Sequence, residues 1–371
     1  MGRRASLSAF IVPVKPTAML ATQPLYVFNP AHDEALSANY PYYYPSTIAR
    51  RLAVEWATLP AVWAERPAYV WLPGEVEVPL QGAWCEGVHF VTAREMNGRF
   101  WQTVSKIVPW GWDLLVRHQL RKAGAPADLL PSDEQIAELR CLSSRETTTR
   151  LLPWLLQHPA LHHLPLVGQS LLATSSYEVE RTLAEWGGAV IKSLWSCSGR
   201  GVFRVARHPT ASDSGRIGRL LREQSAVEIE PIWDKVMDFA LEFDISASRG
   251  VTYQGASLFE TNTSGGYTGN WLAPQSVILG QISAVWGRTD WLSPLIGALS
   301  EGLHLLLGGK YEGIIGVDMM LCRQGQALRL LPCVEVNLRH TMGYVALVMS
   351  ARSIGLEQLP PSLQKLWYVP S

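Results

Sequence analysis

Two long apolar runs near the C-terminal end, YEGIIGVDMML from Tyr311 and LRLLPCVEVNLRHTMG from Leu328, carry acidic residues inside stretches that otherwise read as buried strand. The turn-like CRQGQ between them closes a hairpin. Alternation puts Ile314, Gly316, Asp318 and Met320 on one face of the first strand, and Cys333, Glu335 and Asn337 on one face of the second. If the strands pair, Asp318, Glu335 and Asn337 converge among apolar side chains, where an uncompensated carboxylate is costly. Three oxygen ligands on one strand surface suit Mg2+, which takes carboxylates together with substrate phosphates. Solvent-facing strand positions are the competing reading.

A second constraint is AVIKSLWSCSGRGVFRVA, Ala189 to Ala206, where a lysine interrupts an apolar strand. Alternation places Lys192 with Val190 and Leu194, so its ammonium points among apolar neighbours and needs an anionic partner. The insert SCSGRG supplies hydroxyls, two glycines and Arg200 before the strand resumes, which suits a hairpin cradling phosphates. A hairpin with Lys192 in an internal salt bridge is the alternative. Upstream, LSSRETTTRLLPWLL reads as a helix opened by a capping box of Ser143 with Glu146. That puts Arg145 in a first turn, where the helix dipole does not favour a cation and an anion would be welcome. Downstream, AVEIEPIW leaves Glu230 at a strand end suited to an adenine edge. In DFALEFDIS, Asp238 shares a face with Ala240, Glu242 and Asp244; Asp238 can accept from ribose hydroxyls, while Glu242 and Asp244 read as a solvated acidic face.

The chain has 371 residues, 47% of them apolar, enough for two or three domains with large cores. Lys plus Arg equal Asp plus Glu at 32 each, so no overall field draws it to nucleic acid or an anionic membrane. Five dispersed cysteines without a CxxC pair argue against a disulfide frame or a zinc knuckle and favour a reducing cytoplasm. No apolar run approaches the roughly 20 residues that span a bilayer. Residues 1–23 read as a disordered leader, with Met19 an alternative start. A small α/β domain follows over 24–131, from PLYVFNP, STIARRLAVEWATL, AYVWLP and SKIVPWGWD. PSDEQIAEL then opens a helix with the capping box Ser132 and Gln135. FNPAHDEAL and PWGWD both follow strands, where open α/β sheets bind ligands. Asn29, His32, Asp33 and Asp113 are the candidates there for acceptor recognition, with helix capping competing for the two aspartates. Trp63, Trp71 and Trp186 read as core.

In this order, Arg145, the Lys192 hairpin, Glu230, Asp318 and the EVN of Glu335 to Asn337 resemble the ATP-grasp superfamily. Their spacing is similar to the D-alanine:D-alanine ligase and glutathione synthetase-like branch; Arg145 and Lys192 stand 47 positions apart (192 minus 145). The resemblance covers about 143–343. It implies an α/β ATP-grasp fold of two α+β lobes, about 132–232 and 233–371, preceded by a pre-ATP-grasp domain. It further implies an ATP- and Mg2+-dependent ligase joining a small-molecule carboxylate to an amine through an acyl phosphate. On that resemblance Arg145 and Lys192 hold phosphates, and Ser196, Ser198, Gly199, Arg200 and Gly201 close over them. Glu230 faces adenine and Asp238 the ribose, while Asp318, Glu335 and Asn337 hold Mg2+. Arg339, two residues beyond Asn337 on the same strand face, holds the acyl phosphate or the acceptor carboxylate.

The loop NTSGGYTGN lies where similar enzymes keep a mobile cover, so Tyr267 and Asn270 are acceptor candidates; a plain solvent loop competes. Two departures stand out. Gly316 occupies the place of an arginine two residues before the metal aspartate, and Pro231 follows Glu230 where relatives often have lysine. Arg200 and Arg339 are then the candidates for the supplementary charge. A small-molecule kinase and a nucleotide-binding sensor remain alternatives, and a homodimer stays open. No GxSxG, HExxH or Cys/His arrangement offers a covalent nucleophile.

Overall fold

The computed structural model describes residues 22–74, 82–196, 201–262, 266–365 and 367–369. Most of the expected leader, and Ser198, Gly199 and Arg200 of the hairpin, lie outside them; Gln23 already belongs to the first strand. The chain first builds a parallel sheet from β1 (Gln23–Val27), β2 (Ala68–Leu72), β3 (Val88–Thr92) and β4 (Val104–Pro109), in the order β3-β2-β1-β4. Because β1 pairs with β4 in parallel, Val27 opposite Pro109, the turns leaving both strands emerge side by side. Asn29 and His32 therefore meet Gly111 and Asp113 across 80 residues of sequence.

A second sheet, antiparallel, joins β5 (Leu171–Ala173), β6 (Gly188–Ser193), β7 (Val202–Ala206) and β8 (Val227–Glu230) in the order β5-β8-β6-β7. The third has β9 (Asp234–Ser246), β10 (Gly250–Thr261), β11 (Tyr267–Trp271), β12 (Gly313–Gln324), β13 (Ala327–Asn337) and β14 (Trp367–Tyr368), ordered β13-β12-β9-β10-β11-β14. The three sheets with their covering helices are the mixed α/β architecture expected from the sequence.

Phe239, Leu241, Phe243 and Ile245 turn one face of the third sheet onto the helices Gln275–Trp286 and Leu292–Leu307, where Ile278, Ile282, Leu295, Leu299 and Leu303 are buried with them. Full burial of each such side chain is worth about 1.5–3 kcal/mol. The helix Met342–Ala351 joins the other large core, in which Val345, Ala346 and Met349 pack with Tyr26, Phe28, Trp63 and Trp110 of the first sheet. Trp63 is buried, while Trp71 and Trp186 lie at core margins. No helix among the described residues is long and apolar enough to cross a membrane.

Three local expectations are corrected. The capping box at Ser132 and Gln135 forms, but that of Ser143 with Glu146 does not: Ser143 ends the preceding helix, and Arg145 itself stands at the N-cap of Glu146–Gln157 without a side-chain cap. Arg339 is not on a strand face, because β13 ends at Asn337. Glu242 is not solvated but 1% exposed, since the face of β9 opposite the helices is covered in turn by Thr341 and the helix after it. Asp244, half-buried and 2.6 Å from Arg249, stays nearer the expectation.

Candidate functional site

Lys192 sits in β6, 5% exposed, with Glu228 opposite it in β8 and Glu230 opposite Val190. Alternate residues share a face, so both glutamates stand where Lys192 points. Lys192 Nζ lies 2.5 Å from Glu230 Oε1 and 3.7 Å from Glu228 Oε2. The anionic partner demanded by the sequence is thus a pair of buried glutamates. The carboxylate of Glu230, expected to face adenine, lies against Lys192. Burial pushes its carboxyl above the usual range, against the pull of Lys192.

Arg145, 5% exposed, is tied to the root of the hairpin by Nε donating to Ser193 O at 3.0 Å and Nη2 donating to Ser196 Oγ at 3.1 Å. Its guanidinium is also 2.9 Å from Glu335 Oε1 and 3.6 Å from Glu228 Oε2. Ser170 Oγ donates to Glu228 at 2.7 Å. Gly201 takes φ +79°, and a Cβ there would collide with Ser193 Oγ, so glycine is required where the hairpin returns.

Across the cleft, β12 and β13 pair in the expected register, with Asp318 opposite Glu335 and Gly316 opposite Asn337. Asn337 Nδ2 donates to Asp318 Oδ2 at 3.1 Å. Burial, then the neighbouring charges of Glu335 and Glu242, push the Asp318 carboxyl up to about 8. A carboxyl so disfavoured as an anion is one that a divalent cation would relieve, and two carboxylates with an amide oxygen suit Mg2+. Among the described residues no group of three or more His, Cys, Asp and Glu is arranged to hold a metal, so phosphate oxygens would have to complete the shell.

Glu242 lies on the same floor, accepting from Ser257 Oγ at 3.1 Å and from Thr341 Oγ1 at 2.8 Å. A Cβ on Gly316 would come 2.9 Å from Glu242 Oε2 and from the Thr341 methyl. The departure at Gly316 therefore has a physical counterpart: the room a larger side chain would start from is taken by a carboxylate. Arg339 leaves the strand end and meets Asp33 of the helix His32–Ala38, Nη2 to Oδ2 at 3.1 Å.

Lys192 Nζ reaches the backbone oxygen of Val334 in β13 at 3.4 Å, and Arg145 reaches Glu335, so the second and third sheets are closed on each other. The hairpin root is also held to the helix His32–Ala38 that follows β1. Trp195 lies under the Arg140 guanidinium at 3.6 Å and donates Nε1–H to Arg140 O, while Arg140 Nε and Gln224 Nε2 donate to Leu36 O and Ser37 Oγ. The remaining cavity, about 10 Å³, is lined by His32, Asp33, Ser196, Glu335, Asn337 and Arg339 among others. It has room for about one water. A wider open cleft of about 520 Å³ runs past Glu260, Trp271 and Tyr368 at the opposite edge of the third sheet.

Asp238, Tyr267 and Asn270 take their partners outside this cluster, whereas His32 reaches its small cavity. Asp238 binds Lys235 at 2.6 Å and Thr261 Oγ1 at 2.8 Å. Asn270, 1% exposed, accepts from Tyr267 OH at 2.5 Å, so these two acceptor candidates are hydrogen-bonded to each other. Asn29 Nδ2 donates to Gly111 O and Asp113 Oδ2, and His32 Nδ1 lies 3.1 Å from Asp113 Oδ2. The sequence reading passed over Glu228, although EIE in an apolar strand is a period-two signal that both acids share a face. It set Glu242 aside as solvated, although the residues on either side of it, Leu241 and Phe243, are apolar.

No protein-family model matches this chain, and no curated protein matches it. Among solved structures it is similar to N5-carboxyaminoimidazole synthetase from Staphylococcus aureus complexed with ADP: 11% identity, 87% of this chain and 72% of that one, TM-score 0.43. D-alanyl-alanine synthetase A from Vibrio cholerae gives 13%, 86% and 89%, and 0.45. A protein described as ATP-grasp superfamily, from Archaeoglobus fulgidus, gives 12%, 88% and 83%, and 0.43. Likeness at this level carries no argument about chemistry, which has to come from the residues.

Proposed function

We propose that the chain is an ATP- and Mg2+-dependent ligase that joins a carboxylate to an amine through an acyl phosphate. The observation that carries this reading is the meeting of two buried cations, Arg145 and Lys192, with Asp318, Glu335 and Asn337 across one cleft. Arg145 and Lys192, with Ser196 and the backbone at Gly201, are assigned to the phosphates; Asp238 is assigned to the ribose. Asp318, Glu335 and Asn337 are assigned to Mg2+, which when bound supplies positive charge to the phosphate oxygens. Arg339 neutralises the transferring group, and no covalent attachment to the protein is needed. The cleft as it stands is too small for a nucleotide, so the second sheet must lift from β13 for ATP to enter.

The test is phosphate release from ATP against a panel of amino acids and small dicarboxylates, with and without Mg2+, followed by Glu335→Gln. The substitution keeps shape and removes one charge, so it should cost at least ~2 kcal/mol of transition-state stabilisation. A variant that turns over ATP like the parent across a full Mg2+ titration ends the metal assignment.

A further inference from the structure

The ends of β1 and β4 hold a histidine whose orientation is determined from several sides. Asp113 caps the helix Leu114–Lys122, its Oδ1 accepting from Val116 N at 2.8 Å. Its other oxygen accepts from Asn29 Nδ2 at 2.9 Å and faces His32 Nδ1 at 3.1 Å. Asn29 is itself anchored, donating to Gly111 O at 2.8 Å. A carboxylate can only accept, so the shared proton sits on His32 Nδ1 and the lone pair is left on Nε2.

Gly111 shows where that lone pair goes. A Cβ at Gly111 would lie 2.5, 2.6 and 2.7 Å from Nε2, Cε1 and Cδ2 of His32. Nearly equal distances mean that the ring face covers the glycine, so Nε2 points along the ring plane and not into the backbone beneath. Among the described residues no hydrogen bond to Nε2 is present, and His32, 2% exposed, lines the small cavity with Ser196, Glu335 and Arg339. A helix cap explains Asp113 alone; it does not explain a buried imidazole held through Nδ1 at the wall of the small cavity.

We propose that His32, oriented by Asp113, is the proton acceptor for the attacking amine. The inference rests on the ligase reading above. An amine substrate is largely protonated at neutral pH and cannot attack until it loses a proton. In the step assigned here, the amine nitrogen forms its bond to the carbonyl carbon of the acyl phosphate. The carbon–oxygen bond to phosphate breaks, and phosphate leaves with that electron pair. The first proton, shed by the ammonium before attack, passes to His32 Nε2, where Asp113 stabilises the resulting imidazolium; the second, shed as the amide forms, leaves on the departing phosphate. The charged groups around the ring are Asp113, Asp33 on its own helix, Glu335 from β13 and Arg339 from the segment after it.

The experiment uses the full chain with ATP, Mg2+ and the amino-acid panel as donors, comparing two acceptors: the same amino acids, and hydroxylamine, which is already unprotonated at neutral pH. His32→Gln should lower amide formation about a hundredfold or more, with at least a tenfold smaller loss for hydroxamate formation. Asp113→Asn, which still caps the helix but cannot hold the same tautomer, should reproduce that split. In both variants the acidic limb of the kcat/KM–pH profile should move or vanish. Nitrogen-15 spectra of the parent should show His32 protonated at Nδ1. Equal losses with both acceptors, an unchanged acidic limb, or a proton on Nε2 would overturn the proposal while leaving the ligase intact. A parent that forms neither amide nor hydroxamate with any donor removes the ligase reading and this inference together.

Discussion

The β6–β8 side of the cleft sets Lys192 and Arg145 against Glu228 and Glu230, whereas the β9–β12–β13 side gathers Glu242, Asp318 and Glu335, of which Glu335 reaches Arg145. On the first side cations and anions nearly cancel within a few ångströms. On the second, burial and then the charges of Glu335 and Glu242 hold the Asp318 carboxyl up to about 8. The first side is therefore assembled before any ligand arrives, and the second is short of positive charge. A ligand of phosphate and divalent cation would meet complementary needs: phosphate is attracted by Arg145 and Lys192, and the cation by Asp318 and Glu335. Buried cations already paired with glutamates also mean that phosphate must compete with carboxylates for them.

The largest expected effect breaks the balanced side. The bare sequence invites the expectation that removing Lys192 spares the fold, because phosphate alone would compensate its burial. With Glu228 and Glu230 as partners the expectation changes: Lys192→Met strands the buried Glu230 carboxylate, leaving Glu228 to Arg145 and Ser170, and should cost about 3–5 kcal/mol of stability. Adding Glu230→Gln should recover at least half of it. Urea denaturation of the parent, the single and the double variant measures this, and a single variant as stable as the parent would show that the pairing carries no weight.

A somewhat smaller effect sharpens the unbalanced side through pH. Burial, against hydrogen bonds from Thr341 and Ser257, holds the Glu242 carboxyl up at about 7 from 4.5. The folded chain then keeps a proton that the unfolded chain has released. This group's contribution is full below about pH 4.5 and is lost as pH rises through 7. A shift of about 2.5 units corresponds to about 3 kcal/mol. Glu242→Gln keeps the side chain's shape and should flatten that part of the decline between pH 5 and pH 8, read from denaturation midpoints. A variant that keeps the parent's full slope would place Glu242 in solvent.

The smallest effect concerns the bridge from the third sheet to the first. Arg339→Leu should lower turnover about tenfold, close to 1.4 kcal/mol, while leaving nucleotide affinity nearly unchanged. Calorimetric titration beside steady-state rates separates the two, and equal losses would move Arg339 to the nucleotide.

Much of this arrangement was legible in the sequence because it depends on alternation. Period two put Asp318, Glu335 and Asn337 on facing sides of a hairpin, and the register confirms that they meet. The same rule put Lys192 inside. Failures came where a partner lay on an element distant in sequence. Glu242 alternates with a polar-looking face, yet Thr341 and the following helix cover that face. Arg339 extends the strand pattern by two residues, yet the chain has already turned toward Asp33, 306 positions away. Ser143 and Glu146 have capping-box spacing, but Arg145 is drawn into the cleft by Ser193, Ser196 and Glu335, and the helix starts without the box.

The sequence by itself determined the strands, most of their inward faces, and the fact that a buried lysine and the polar residues Asp318, Glu335 and Asn337 in apolar strands each required partners. Only the tertiary structure decided which partners those were. Cross-strand order places Glu228 and Glu230 beside Lys192, and sheet closure places Glu335 on Arg145. The parallel pairing of β1 with β4 brings His32 to Asp113. The physical reason is range: side-chain alternation is imposed by the local backbone, whereas compensation of a buried charge depends on contacts across tens to hundreds of residues, which exist only once the sheets have packed.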